Sequence, residues 1–354
     1  MLKSLEIRNF TAFGKAELQL AKGLNVFVGE NGTGKTHLLK LLYAVLATSA
    51  EGRRRGNGTK PGKAPLQRDI AQKLMQVFRP ESLGRLARRQ IGRSRCEVAL
   101  LFEQPQDNVG FSFASQNKTE VSVDPCPGEW IEKAPVFLPA HELMTVYPGF
   151  VSVYESHHLQ FDETWRDTCL LLGAATLKGP RAVRANELLK PLEEQMGGQV
   201  VLDANGRFYL KLPGVGNLEA HLVAEGLRKL AMLARLIATG SLLDQGCLFW
   251  DEPESNLNSK LVREVAEAIL GICSQGIQVF VATHSLFLLR ELEMLLGQQC
   301  FKAIAQRYFA LSPGHDGVVI QQGDRIDDVD PLVALDEELE QSGRFVDWDE
   351  ETTT

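Results

Sequence analysis

Hydrophobic residues recur at alternate positions in the first segments of the chain. LKSLEIRNF (2–10) and KAELQL (15–20) alternate apolar and polar residues, and GLNVFVG (23–29) is a short apolar run that ends in glycine. Alternation with a period of two predicts half-buried strands, and a short apolar run closed by glycine predicts a buried strand. Residues 36–47 then carry leucines at helical spacing. A helix is therefore expected directly after the third strand.

The pattern changes several times further along the chain. Residues 51–65 are rich in Gly, Pro and charge, which predicts a loop, and two short helical patterns follow within 66–90. The short apolar runs of 96–140 predict an antiparallel meander. Residues 155–196 are helical in pattern, and an Asn205-Gly206 turn inside VVLDANGRFYLKL predicts a hairpin. From residue 220 onward helical and strand patterns alternate, which is typical of a parallel sheet with crossover helices.

Together these patterns predict one α/β domain with a mixed core sheet, an N-terminal antiparallel β subdomain and a helical lobe. We divide the chain into N-terminal strands with a glycine-rich loop (1–50), a basic insertion (51–95), a β meander (96–140), a helical lobe (141–220), a core of helices and parallel strands (221–322) and an acidic tail (323–354).

Composition excludes several classes of protein. The 354 residues are 44% hydrophobic and 23% charged, which is ordinary for a globular chain and excludes a mostly disordered or fibrous one. No run approaches the roughly 18 apolar residues of a membrane helix, and the first residues lack the apolar core of a secretory signal. Six cysteines are scattered without a CxxC pair. We expect reduced thiols, a cytoplasmic location and no membrane contact.

Charge is distributed unevenly along the chain. The net charge is −7, yet segment 51–95 carries thirteen Lys and Arg against three acids, and residues 324–351 carry twelve acids against two arginines. Such segregation predicts two differently charged surfaces. The basic segment suits nucleic-acid phosphates or an acidic protein partner, and an ordinary solvated surface is the alternative.

One motif indicates phosphate binding. Residues 29–36, GENGTGKT, fit G-x-x-x-x-G-K-[ST] in full and lie between a predicted strand and a predicted helix. Glycines let successive backbone N–H groups point at phosphate oxygens, Lys35 would neutralise the β and γ phosphates, and the Thr36 hydroxyl would ligate Mg²⁺. We assign nucleotide binding to Gly29, Asn31, Gly32, Thr33, Gly34, Lys35, Thr36 and the next residue, His37.

Two carboxylates end a later apolar strand, CLFWDE. The C-terminal ends of strands in open α/β sheets are where ligands bind. Asp251 would hold Mg²⁺ through water, and Glu252 is placed to polarise an attacking water as general base. His284 ends the next apolar strand, VFVATHS, and becomes a candidate sensor of the γ-phosphate.

These motifs resemble the ABC-type ATPase heads of the SMC, RecF and OLD-like group. LKSLEIRNFTAFG looks like their N-terminal strand, GENGTGKT like their Walker A motif, LFWDEPESNLNS like their Walker B motif with D-loop, and VATHS like their H-loop. The resemblance covers nearly the whole chain, without a coiled-coil arm and without a TOPRIM domain. It implies a P-loop fold of ABC type, with ATP and Mg²⁺ as ligands.

The resemblance also implies that two heads enclose ATP, each capped by its partner's signature motif. The matching stretch here is VAEGLRK (223–229), where Ala224 replaces the serine of LSGGQ. Glu225 and Gly226 are the candidate trans contacts, and Arg228 or Lys229 could add positive potential. The Q-loop glutamine is also missing, and His141 or Glu142 is its candidate replacement unless that loop is only a structural turn.

These predictions describe an enzyme, an ATPase that converts ATP to ADP and phosphate. The favoured hypothesis is a molecular switch that forms a homodimer on ATP binding and controls DNA or an effector protein of nuclease or toxin type. Prokaryotic defence or DNA maintenance is the expected setting, by resemblance alone. The alternatives are the nucleotide-binding subunit of a membrane transporter, which the missing LSGGQ and glutamine disfavour, and an ATP-binding scaffold without turnover, which Glu252 disfavours.

Overall fold

The computed structural model describes residues 1–56, 59–89, 94–157, 159–243, 246–330, 337 and 340–345. Much of the acidic tail predicted at 323–354 lies outside these residues, as does a small part of the basic segment.

A six-stranded sheet forms the centre of the fold. In spatial order its strands are Val319–Gly323 (β14), Gln306–Ser312 (β13), Leu24–Gly29 (β3), Gln278–Thr283 (β12), Cys247–Asp251 (β11) and Val136–Leu138 (β7). Neighbouring strands are parallel except β13 and β14, which are antiparallel. The sheet is therefore mixed, as the sequence predicts. The parallel strands end at one edge, where β3, β11 and β12 place their C-terminal residues side by side.

A second sheet confirms the predicted antiparallel subdomain. Its strands, in spatial order, are Phe13–Gln19 (β2), Leu2–Phe10 (β1), Arg95–Phe102 (β4), Val109–Ala114 (β5) and Ser122–Val123 (β6). All of its pairings are antiparallel. From Leu5 to Arg8 of β1 buried and exposed residues alternate, as the period-two pattern predicts, whereas the neighbours Ser4 and Leu5 are both buried.

Helices cover both faces of the central sheet. They are Lys35–Arg55 (α1), Lys63–Phe78 (α2), Tyr147–Ser156 (α3), Glu163–Leu172 (α4), Pro180–Met196 (α5), Glu225–Ala238 (α6), Ser259–Ser274 (α7) and Leu286–Leu296 (α8). A three-stranded antiparallel sheet of Gln199–Leu202 (β8), Phe208–Leu212 (β9) and Gly216–Glu219 (β10) adjoins the helical lobe. The predicted hairpin is present, with Gly206 at φ 74° in its turn.

Alternation within the central strands separates two hydrophobic cores. Val26 and Val28 of β3 face one core, whereas Phe27 between them faces the other and stacks on Phe309 with ring centroids 4.8 Å apart. The second core also holds α1 and the five-stranded sheet. Strand β3 is therefore packed between two hydrophobic cores, which fixes the position of the loop that follows it.

One expectation about the basic segment is wrong. The loop predicted for 51–65 is partly helical, because the first helix runs beyond residue 47 to Arg55, where three arginines lie in its last turn and suit the negative end of the helix. Helix α2 agrees with the helical pattern of residues 66–90, although it begins at Lys63, and its Leu66, Ile70 and Leu74 are buried in the second core. Residues 51–95 are thus largely integral to the fold.

Candidate nucleotide-binding site

The loop between β3 and α1 has the shape of a phosphate cradle. A Cβ on Gly29, at φ 154°, would lie 2.3 Å from the Leu311 carbonyl oxygen, so only glycine fits there. Gly32 has φ 84°, and a Cβ there would meet no atom within 4 Å, which places open space beside the loop. Helix α1 begins at Lys35 after the left-handed Gly34. Its free N–H groups and positive end therefore face this space.

Lys35 lies inside the loop rather than on the surface. Its side chain is buried, and Nζ donates to the carbonyl oxygens of Gly29 at 2.7 Å and Glu30 at 2.9 Å. Desolvation lowers the pKa of Lys35, and the charges of Glu252 and Asp251 oppose that shift. An ammonium has three donor hydrogens. The third remains for an incoming phosphate oxygen.

Thr36 and Asp251 meet across the sheet edge. The Thr36 hydroxyl Oγ1 lies 2.9 Å from Asp251 Oδ2 and 3.0 Å from Oδ1, although 215 residues separate them. Burial raises the pKa of Asp251 to about 6, and the adjacent Glu252 charge adds to the rise. Mg²⁺ in proteins binds oxygen ligands, so the Thr36 hydroxyl and the Asp251 carboxylate fit a Mg²⁺ site. A bound cation would also offset the cost of desolvating the carboxylate.

Glu252 occupies a strained position beside His284. Its backbone is left-handed at φ 46°, which is uncommon for a non-glycine residue. The Glu252 N–H donates to Ala282 O at 2.8 Å, and its carboxylate Oε1 lies 3.3 Å from His284 Nδ1. The carboxylate is partly exposed at the open edge. It is therefore accessible to a water molecule, as a general base must be.

A third acid, Glu254, lies close to His284. Glu254 is buried, and its Oε1 accepts from the Thr283 hydroxyl at 2.6 Å and lies 3.9 Å from His284 Nδ1. Glu254 is not among the site residues predicted from the sequence. Its signal there is a third acid, two residues after the Asp251-Glu252 pair.

The signature stretch lies at the start of α6, next to the loop after β11. Among the described residues, Glu225 accepts from Asn256 Nδ2 at 2.8 Å, in the loop after β11. A Cβ on Gly226 would lie 3.1 Å from Asn256 O and 3.3 Å from Leu257 Cδ2. Gly226 thus permits close packing of α6 on this loop. Ala224 is the N-cap of α6, is exposed, and makes no side-chain cap.

The two cations that follow are directed inward. Arg228 donates through Nε to Glu142 Oε1 at 2.8 Å, and Lys229 is 2% exposed, with Nζ bonded to the main chain of Glu252 at 2.7 Å. The expectation that they offer free positive potential to a partner's phosphate is therefore wrong for this conformation. Burial and short internal hydrogen bonds hold both groups within the chain.

Glu142 also has a local structural role. Its Oε2 accepts from the backbone N–H of Met144 at 2.8 Å and of Thr145 at 3.3 Å, and Oε1 accepts from the Thr145 hydroxyl at 2.8 Å. These bonds favour the structural-turn interpretation of this residue. His141 is exposed, with its ring 6.1 Å from that of Trp165.

Several further predicted residues fall at the rim of the site. Asn31 is exposed in the phosphate loop, and Thr33 is buried with Oγ1 donating to Glu30 O at 2.8 Å. His37 lies on the first turn of α1 with its ring 5.6 Å from that of Phe78. That contact turns the imidazole toward α2.

Acids from the same region pair with much of the basic segment. The pairs are Arg53–Glu132 at 3.6 Å, Arg55–Asp69 at 2.8 Å, Lys60–Glu129 at 3.1 Å and Arg68–Glu120 at 2.9 Å. Lys73 is buried and lies 3.0 Å from Glu163. Exposed pairs contribute little stability, but they reduce the local positive potential. The segment is thus less positive in the fold than its own residues suggest.

Two family models match the chain. Residues 95–290, more than half of the chain, match the family described as "AAA domain, putative AbiEii toxin, Type IV TA system". Residues 1–106 match the family described as "AAA ATPase domain". The chain belongs to the AAA ATPase domains. The two matched ranges of this AAA domain together contain the phosphate loop, Asp251, Glu252 and His284.

Similar proteins agree with that assignment. The DNA replication and repair protein RecF of Yersinia enterocolitica is 26% identical over 138 residues, which are 39% of this chain and 31% of that protein. RecF of Streptococcus suis is 43% identical over 47 residues, 13% of each protein. The AAA domain thus matches less than a third of the length of these relatives.

Solved SMC heads share the fold. An SMC head bound to the C-terminal winged-helix domain of ScpA has a TM-score of 0.56 at 15% identity, covering 92% of this chain and 98% of that one. An SMC head from Pyrococcus furiosus, bound to the C-terminal domain of ScpA, has a TM-score of 0.52 at 12% identity and covers 99% of both. The AAA domain therefore has an SMC/RecF-like ABC-type ATPase head fold.

The described residues contain neither a membrane-crossing helix nor a long arm. No helix among them has both the length and the apolar character needed to span a bilayer. The longest of them is α1, with 21 residues.

Proposed function

We propose that this chain binds ATP with Mg²⁺ and hydrolyses it, and that ATP binding switches it between a free and a paired state. The observation that carries the proposal is the meeting of Thr36 and Asp251 at 2.9 Å beside Lys35, on the open side of a phosphate loop. The desolvated Asp251 carboxylate accepts from a neutral hydroxyl, and a bound cation would stabilise its charge, so this arrangement favours a cation-bearing phosphate ligand. The family assignment gives the same substrate class.

Different residues of the chain bind the phosphates, hold Mg²⁺ and activate the attacking water. Backbone N–H groups of the loop and the Lys35 ammonium bind the phosphates, while Thr36 and Asp251 would hold Mg²⁺, which neutralises phosphate charge when bound. Glu252 takes a proton from the attacking water, and His284, 3.3 Å from its carboxylate, orients the carboxylate or the water. Turnover distinguishes this proposal from an ATP-binding scaffold.

Pairing of two heads rests on the exposed start of α6. Helix N-termini attract anions, and Ala224 and Glu225 are exposed at that end. When two copies of the chain face each other, the N-terminal end of α6 in one copy would approach the nucleotide bound to the other. A partner effector protein would then distinguish the free from the paired form. The ScpA-bound SMC heads offer a precedent for a protein partner, whereas the internal ion pairs of segment 51–95 give weaker support to nucleic acid.

Sedimentation velocity with and without ATP tests the pairing. Glu252→Gln should bind ATP without turning it over and should accumulate as a dimer. Adding Ala224→Glu to it puts negative charge beside the partner's phosphate, while the carboxylate still suits the N-terminus of its own helix. We expect a monomer that retains ATP affinity.

The matched control is Val183→Glu in the same background, because Val183 is 63% exposed on α5. It should dimerise normally. An ATP-dependent dimer that survives Ala224→Glu would contradict the pairing through α6. If no variant responds to ATP, the switch itself is wrong, whatever the result for hydrolysis.

A further inference from the structure

A buried lysine connects the signature helix to the general base. Lys229 is 2% exposed, and its Nζ donates to Glu252 O at 2.7 Å, Ser255 O at 3.2 Å and Ser255 Oγ at 2.6 Å. An ammonium has three hydrogens, and these acceptors use all of them. Lys229 is therefore committed to the loop after β11 and has no hydrogen left for a phosphate.

The acceptor at Glu252 is the residue with the strained backbone. A left-handed conformation at a non-glycine residue is unfavourable and persists only where its surroundings hold it. Three hydrogen bonds hold the main chain of Glu252. Its N–H donates to Ala282 O on β12, and its carbonyl oxygen accepts from Lys229 Nζ and from the Ser255 N–H at 3.1 Å. The direction of the Glu252 side chain follows from that backbone, so the lysine helps to set where the carboxylate lies.

The same lysine is rigidly attached to the start of α6. Lys229 lies four residues, about one helical turn, after Glu225, so both move together with the helix. Ser255 extends the connection, because its hydroxyl also donates to Ala140 O at 2.9 Å in the loop that follows β7. A shift of α6 would therefore move the hydrogen bond that supports Glu252.

We propose that Lys229 is a positioning residue, which holds Glu252 in its left-handed conformation and makes hydrolysis depend on the placement of α6. The inference rests on the proposed ATP hydrolysis. Lys229 contacts no reacting atom itself, since it bonds to the main chain of Glu252 and not to its carboxylate. Its effect is therefore expected on the chemical step and not on nucleotide affinity.

Lys229→Met tests this directly, because methionine keeps much of the length and removes every donor. We expect kcat for ATP hydrolysis to fall at least tenfold, with KM and the Kd for a fluorescent ATP analogue within twofold of wild type. Lys229→Gln serves if the methionine variant does not fold, and the same split between kcat and Kd is expected. Far-UV circular dichroism and the melting temperature establish folding.

The matched control is Arg235→Met on the same helix. Arg235 is also a buried cation that donates to main-chain oxygens, those of Leu172 at 3.0 Å and Ala174 at 2.8 Å, far from the loop after β11. Its loss should lower the melting temperature comparably and leave kcat within twofold of wild type.

Three results would overturn the inference. They are a folded Lys229 variant with wild-type kcat, a fall in kcat matched by an equal loss of ATP affinity, and an equal fall in kcat in Arg235→Met. A wild-type protein without ATP turnover would instead refute the proposed function itself, so the two failures are distinguishable.

Discussion

Asp251→Asn should stabilise the ligand-free protein while it impairs function. The Asp251 carboxylate is desolvated and adjoins Glu252, which raises its pKa to about 6. Asparagine has the same shape, carries no charge, and can still accept the Thr36 hydrogen bond. The ionised carboxylate therefore destabilises the ligand-free fold, and a bound cation with its nucleotide would offset this destabilisation.

The sign and magnitude follow from the shift in pKa. The ordinary aspartate pKa is about 3.9, so between about pH 4 and pH 6 the folded protein holds this proton more tightly than the unfolded chain. The stability of the wild type consequently falls as pH rises through that interval and is level above it, whereas asparagine does not titrate. The expected gain from Asp251→Asn is about 1.5 kcal/mol at pH 5 and at most about 3 kcal/mol at pH 7.5.

Urea denaturation in EDTA without nucleotide measures this difference at both pH values. Asp316→Asn is the control, because the Asp316 side chain is 98% exposed and its change should stay within about 0.5 kcal/mol at either pH. A gain that is equal at pH 5 and pH 7.5, or a loss of stability at pH 7.5, would refute the reasoning about Asp251.

Three further changes have definite expected results. Lys35→Ala should abolish ATP binding in calorimetry without unfolding the protein, because the hydrogen bonds from its ammonium go to the Gly29 and Glu30 carbonyl oxygens, where water can replace it; unchanged affinity would contradict the phosphate-loop assignment. Ala224→Ser supplies the missing cap of α6 and should raise the free energy of unfolding by about 1 kcal/mol, which chemical denaturation measures. Replacing five arginines of the basic segment with Ser or Ala (Arg53, Arg54, Arg55, Arg88 and Arg89) should lower the slope of log K against log salt for any DNA binding by several units and leave ATPase activity intact. Absence of DNA or RNA binding by wild type at low salt would exclude the nucleic-acid role.

Local signals in the sequence were sufficient to predict the fold class and to place Thr36 and Asp251 at the same edge of the sheet. The phosphate loop and the acids Asp251 and Glu252 are each recognisable from a short stretch of sequence. Each lies at the end of a strand that its own hydrophobic pattern predicts. The parallel arrangement of those strands then brings Thr36 and Asp251 together. Nothing beyond local pattern and sheet topology was needed for that contact.

Partners that are distant in sequence explain what could not be predicted. Segment 51–65 reads as a loop because Gly and Arg are frequent, yet packing of α1 against the core extends the helix to Arg55. Lys229 and Arg228 read as surface cations on a helix start, and only the fold reveals the carbonyls and the Glu142 carboxylate that accept from them. Acceptors of this kind are main-chain atoms or single acids far along the chain, which leave no local pattern.

The most direct test of the central claim compares ATP turnover by wild type and Glu252→Gln at equal nucleotide occupancy, measured as phosphate release under saturating ATP and Mg²⁺. The account predicts the same Kd for both and a rate at least about 10²-fold lower for Glu252→Gln, since loss of a general base typically has that effect. Equal rates would show that Glu252 is not the base, and no turnover by wild type would contradict the assignment of this site as an ATPase centre.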